Sequence, residues 1–169
     1  MVRRVLSLTA VVVTALLLQS TVFGQLRLLG VRPELLYLVT IVIALLEGPN
    51  EGAVVGFAGG LTQDFLMNQP KGITALTLTL LGYAVGMLRQ FITSPSPLLP
   101  TVVVGVGTAA GIAFYEIVSL LLGNLDMTAA YGVKVAVLTA VYNAVLTPIL
   151  YPLLRRISEG SRPRRVVRF

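Results

Sequence analysis

The chain has 169 residues, of which 56% are hydrophobic and 12% charged, with a mean hydropathy of +0.88 and a formal net charge of +6. Length alone points to one domain, but a soluble fold of this size is far more polar; six apolar stretches of about 20 residues, each able to cross about 30 Å of hydrocarbon, would leave short loops and no folded extramembrane domain. With no Cys and no His, disulfides, thiol and imidazole chemistry and the Ser-His-Asp and Cys-His constellations are excluded, and the redox compartment is unreadable.

Arg3 and Arg4 precede an apolar run that begins at Val5. This resembles the start of a secretory signal, but no clean small-x-small cleavage site follows and the next stretch is again apolar, so the run reads as a first span. The flanks of the arginine pair also lack the pattern of a twin-arginine address. Spans are predicted at 5–23, 33–46, 52–67, 72–88, 98–122 and 132–154, joined by short connections that carry turn residues. They lack the polar–apolar alternation of a membrane barrel, and backbone groups in lipid must be satisfied internally, so each span is read as a helix. Pro33 suits a first helical turn. The second and third spans, at about 15 to 16 residues or roughly 24 Å of helix, are expected to form a hairpin partly shielded by the other helices or to sit in a thinned bilayer. The expected organisation is an all-α integral membrane protein: one six-helix bundle over 1–154, then a basic cytoplasmic tail over 155–169.

Orientation follows from the basic residues, which insertion holds on the cytoplasmic side. Six spans with an inner N-terminus place nine inside, Arg3, Arg4, Arg89, Arg155, Arg156, Arg162, Arg164, Arg165 and Arg168, against four outside, Arg27, Arg32, Lys71 and Lys134. Both termini are therefore expected in the cytoplasm. A five-span arrangement with a re-entrant hairpin would put the basic tail outside. The sequence pI near 10.2 does not point to nucleic acid, because the positive residues collect at a membrane edge instead of on a folded basic face. Arg155, Arg156, Arg162, Arg164, Arg165 and Arg168 suit anionic inner-leaflet lipid, with an acidic cytoplasmic partner as the alternative.

Small residues form the clearest pattern within the spans. Gly48, Gly52, Gly56 and Gly60 recur every fourth position and lead to Asp64; Gly82 and Gly86, Gly107 and Gly111, and Ala136, Ala140 and Ala144 repeat the spacing in the last three spans. Ridges without side chains let helices approach closely in lipid, either within one bundle or against a partner. The run from Gly105 to Ala110 superficially matches a dinucleotide fingerprint, but it lies inside a span and follows no strand.

Ionisable groups inside spans are costly and are often functional. Here they are Asp64 and Glu116, with Lys134 at a span edge. Asp64 is expected near the outer end of the third span, within reach of water or Lys71. Glu116, about six residues from a span end, lies deeper than snorkelling easily relieves. With Tyr115, Tyr142 and Asn143 it is expected to form a buried polar cluster between the fifth and sixth spans, either a structural network or a ligand or proton site. Two lone carboxylates with no phosphate-cradling loop, metal-ligand spacing or activated nucleophile do not make an enzyme, and no cofactor is expected.

The order of these residues resembles a known family. Pro33-Glu34-Leu35-Leu36, the run from Leu45-Leu46-Glu47-Gly48-Pro49-Asn50-Glu51-Gly52 through Gly59-Gly60-Leu61 to Asp64, Pro70-Lys71-Gly72, Leu81-Gly82-Tyr83, Tyr142-Asn143-Ala144 to Pro148, and Tyr151-Pro152-Leu153-Leu154-Arg155-Arg156 are similar to the rod-shape-determining membrane protein MreD family over nearly the whole chain. Two positions depart from it: Glu34 stands where Asp is expected in many members, and Thr74 where His or another polar residue is common. The resemblance implies a non-enzymatic bacterial inner-membrane subunit of the elongation machinery for lateral peptidoglycan. It implies work with MreC, with MreB on the cytoplasmic side and with the RodA and penicillin-binding synthase pair. It also implies a fold similar to the six-helix substrate-binding subunits of energy-coupling-factor transporters. On that reading small-residue faces receive a partner's membrane helix or a second copy in a homodimer. The alternative is a true vitamin-binding transporter subunit, although the first span offers only Ala10 and Thr14 in place of an Ala-x3-Ala docking pattern. An ion or proton carrier using Asp64 and Glu116 is a third class, for which paired or relayed charges are lacking.

Overall fold

The structure is a computed structural model that describes residues 2–21, 30–31, 33–66, 72–91, 98–123 and 129–161. Arg27, Arg32, Lys71, Arg162, Arg164, Arg165 and Arg168, and the side chains of Arg3 and Arg4, lie outside the described residues. Among the described residues six α-helices occur: α1 (Val2–Thr21), α2 (Leu35–Glu47), α3 (Pro49–Leu66), α4 (Ile73–Leu88), α5 (Leu99–Leu121) and α6 (Ala129–Ser161).

Their arrangement is a ring around a post. In the ring α1 touches α3, α3 touches α4, α4 touches α5, α5 touches α6 and α6 returns to α1, while α2 stands at the centre and touches all five. Every residue from Leu35 to Leu45 is buried. A helix that is apolar on all sides is stable only where every side is covered, and the run Leu-Leu-Tyr-Leu-Val-Thr-Ile-Val-Ile-Ala-Leu-Leu meets that condition. Its 13 residues rise only about 20 Å. Because its neighbours are protein, its length has no need to match a hydrocarbon layer.

The expected boundaries shift in three places. Pro33 precedes the first helical turn instead of occupying it, since α2 begins at Leu35 with Glu34 as its N-cap. The connection expected at 47–51 shrinks to Gly48, with φ of 111°, and Pro49 opens α3 directly. A positive φ at a one-residue turn is a glycine position, so Gly48 belongs to the turn and the small-residue ridge proper starts at Gly52. The sixth helix passes 154 and carries Arg155 and Arg156 on its last turns, where Arg155 Nε pairs with Glu159 at 2.7 Å.

The small-residue ridges meet inside the chain. A Cβ added to Gly52 would lie 2.7 Å from the Gly82 carbonyl oxygen, one on Gly56 2.3 Å from that of Leu78, one on Gly60 2.6 Å from Ala75 Cα, and one on Gly86 2.4 Å from Pro49 Cα. Thus α3 and α4 pack backbone against backbone, which only glycine permits. Gly107 and Gly111 instead receive side chains of the central post, Ile41 Cδ1 at 2.9 Å and Tyr37 Cε1 at 2.6 Å from the added Cβ positions. Ala136 and Ala140 are buried and Ala144 is half-buried; the Ala144 methyl lies 3.5 Å from a Cβ built on Gly105.

Large apolar side chains cover the outside. Val133, Val137, Val141, Val145, Ile149 and Leu153 repeat every fourth position along α6 and are each at least 51% exposed. Helices α5 and α6 are long and apolar enough to cross a membrane.

Candidate functional site

The polar groups that this apolar chain buries collect at the N-terminal end of the central post. The first N–H groups of a helix have no intrahelical acceptor, and at α2 other helices supply the partners. Gln19 of α1, 1% exposed, accepts the Leu36 N–H through Oε1 at 3.3 Å. Gln63 of α3, equally buried, donates from Nε2 to Glu34 Oε2 at 3.2 Å. Asn143 of α6, fully buried, donates from Nδ2 to the Glu34 carbonyl at 3.0 Å and to Thr108 Oγ1 of α5 at 3.2 Å. Four ring helices therefore each send one polar side chain to the head of α2. Thr147, the residue directly before Pro148, donates its hydroxyl to the Asn143 carbonyl one turn back at 2.7 Å.

Asp64 does comparable work for α4. It is fully buried, and its Oδ2 accepts the N–H groups of Gly72 at 2.8 Å and Ala75 at 3.2 Å. Gly72, with φ of 100°, is the N-cap of α4, so the carboxylate of one helix closes the first turn of the next, where the helix dipole favours negative charge. The partner of Asp64 is thus a helix end; Lys71, the other partner expected, lies outside the described residues.

Glu116 is not brought to Asn143. Its carboxyl group rests on Gly132 at the first turns of α6, 3.5 Å from a Cβ built there, and the eleven residues from Gly132 to Asn143 rise about 16 Å. Of the cluster expected from Glu116, Tyr115, Tyr142 and Asn143, Glu116 and Asn143 therefore stand at two separate places. At the opposite end of the post, Ser158 of α6 hydrogen-bonds Glu47, and Arg89 Nη1 lies 3.8 Å from a Cβ built on Gly48.

Sequence reasoning passed over Gln19, Gln63 and Thr108 as site residues. The two glutamines were detectable, because an uncharged amide inside an apolar span also needs partners; Thr108 gives no such sign, since a threonine can bond its own helix.

The head of α2 holds amide donors and acceptors, one hydroxyl and a carboxylate, and no activated nucleophile. Among the described residues no three His, Cys, Asp or Glu side chains come together to hold a metal ion. What the arrangement does chemically is lock four ring helices, α1, α3, α5 and α6, to the end of the central post.

The family model for the rod shape-determining protein MreD matches residues 1–157. No curated protein and no solved structure matches the chain. That match covers all six helices but for the last turn of α6, and the chain belongs to the MreD family, whose members are shape-determining, membrane-associated proteins and not a known enzyme family.

Proposed function

We propose that the chain is a non-enzymatic, multi-pass scaffold of the bacterial inner membrane that binds MreC and supports lateral peptidoglycan synthesis by the elongation complex, with MreB and the RodA and penicillin-binding synthase pair as further partners. The family match carries this reading. The apolar outer faces of α5 and α6 support a bilayer setting. A buried post bonded from several helices at its head supports a rigid contact surface over a moving carrier. Because the glycine ridges of α3 and α4 meet each other, a partner's membrane helix or a second copy would dock on the outward apolar faces. Arg89, Arg155 and Arg156 lie at the same end of the bundle as Glu47, which supports a cytoplasmic side there and both termini inside, with the tail beside filament and anionic lipid. Co-purification from membranes of cells that make both proteins tests the reading. MreC eluting with the chain after mild detergent extraction is expected, and a correctly inserted chain that elutes without MreC would contradict it.

A further inference from the structure

The pair formed by α3 and α4 is shorter than the helices that follow it. Its register is fixed at both ends: a Cβ built on Gly86 would lie 2.4 Å from Pro49 Cα, and Asp64 Oδ2 accepts the Gly72 and Ala75 N–H groups. Between those two points, from Pro49 to Asp64, α3 rises about 22 Å. Asn50, Arg89 and Gln90 are exposed at the Pro49 end. Large apolar side chains face outward only from Val54 to Leu66 on α3, about 18 Å, and from Leu76 to Leu88 on α4, or to Phe91 just beyond it, about 18–24 Å. Next in the ring, outward apolar side chains run from Leu98 to Leu122 along α5, about 36 Å, and from Val133 to Leu153 along α6, about 30 Å.

We propose that the outward face of α3 and α4 is a lipid-binding surface occupied by phospholipids with short acyl chains, which form a locally thinned bilayer there, while α5 and α6 face bilayer of ordinary thickness. The proposal rests on the bilayer setting of the function proposed above. A hydrocarbon core of about 30 Å matches α5 and α6 but overshoots the α3 and α4 bands by about 6–12 Å. Tilt does not level the two sides, because lowering the α5 band to about 22 Å would take about 50°, beyond the roughly 0–40° that spans adopt. Nor can α3 and α4 shift past each other to lengthen their common face, since their backbones touch along Gly52, Gly56, Gly60, Gly82 and Gly86. The lipid therefore adjusts, as it does beside a short hydrophobic face. Short chains fill such a band without bending, and they collect there from a mixed membrane.

The chain has no Trp, so a single introduced Trp reports on one face. Leu80→Trp on α4 and Phe57→Trp on α3 probe the short side, and Val141→Trp on α6 serves as the control; all three positions are exposed. Each full-length variant is reconstituted into vesicles of equal parts phosphatidylcholine with chains of about 14 and about 22 carbons, with bromine carried by one lipid or the other as a fluorescence quencher. Relative to Val141→Trp, the Trp at 80 and the Trp at 57 should each be quenched about twofold more by the short-chain lipid than by the long-chain lipid. The same short-to-long ratio at all three positions would overturn the proposal. Quenching at 141 but by neither lipid at 80 and 57 would overturn it too and assign the α3 and α4 face to a protein contact. No quenching at any position would contradict the bilayer setting itself, and the proposal with it. Reporters on two helices keep the test decisive if one variant fails to fold.

Discussion

Gly56→Ala adds one methyl group where the backbones of α3 and α4 touch. The new Cβ would lie 2.3 Å from the Leu78 carbonyl oxygen, 2.6 Å from its carbon and 3.0 Å from Thr79 N, whereas ordinary contact begins at 3.4 Å. All three atoms are backbone, so no rotamer change relieves the clash and the helices must part by about 1 Å. That displacement opens the contacts on the same seam at Gly52, Gly60, Gly82 and Gly86. A gap of 0.5–1 Å already forfeits about a quarter to a half of each dispersion well. Overpacking costs about 1–3 kcal/mol, and a backbone seam places this variant at the upper end, with an unfolding midpoint lowered by about 6–12 °C. Two controls separate local clash from a general intolerance of substitution. Gly105→Ala meets Ala144 Cβ at 3.5 Å and should leave the midpoint near wild type, while Gly160→Ala meets nothing within 4 Å and should gain up to about 1 kcal/mol from helix propensity. Thermal unfolding of the three variants in one detergent checks the order. Gly56→Ala as stable as Gly105→Ala would refute the backbone seam.

Asp64→Asn keeps an acceptor for the first turn of α4 but gives up the charge at a helix N-terminus, a loss of about 1 kcal/mol. Asp64→Ala strips both N–H groups of their partner and should cost about 3 kcal/mol, with faster hydrogen exchange at Gly72 and Ala75; equal midpoints for the two variants would remove Asp64 as the cap. Reporter fusions at Gly24, Asn68 and Asn124 should read periplasmic and those at Asn50, Ser94 and Phe169 cytoplasmic, and a periplasmic Phe169 would sink the six-span topology. Glu116→Gln should keep both rod shape and MreC binding, because the carboxyl group rests on Gly132 and not in the network around Asn143; a variant that assembles normally but fails to restore rods would assign the titratable group itself a role.

Hydrophobic runs and turn residues made the six helices legible, but the environment of each helix was not. Nothing in an unbroken apolar run over 35–46 says whether its neighbours are lipid or protein, and only the ring around α2 explains why so short a helix suffices. The glycine spacing announced a close approach without naming its partner. Gly52, Gly56 and Gly60 face α4, the off-series Gly59 meets Leu36, and Gly107 and Gly111 face the post while Gly105 meets α6. The candidate site was legible only in part. Asp64 and Asn143 stood out as polar residues in apolar spans, but Asn143 finds its partners 109 and 35 residues away, and sequence neighbourhood carries no information at that range. Glu116 was grouped with Asn143 by rough depth along adjacent spans, an argument that fails once the contact with Gly132 fixes the register of α5 against α6.

The most direct test of the scaffold account is complementation. In a rod-shaped bacterium depleted of its own MreD, expression of this chain should restore rods and retain MreC in the same detergent-extracted complex. A chain that accumulates in the membrane at normal levels yet leaves the cells round would contradict it.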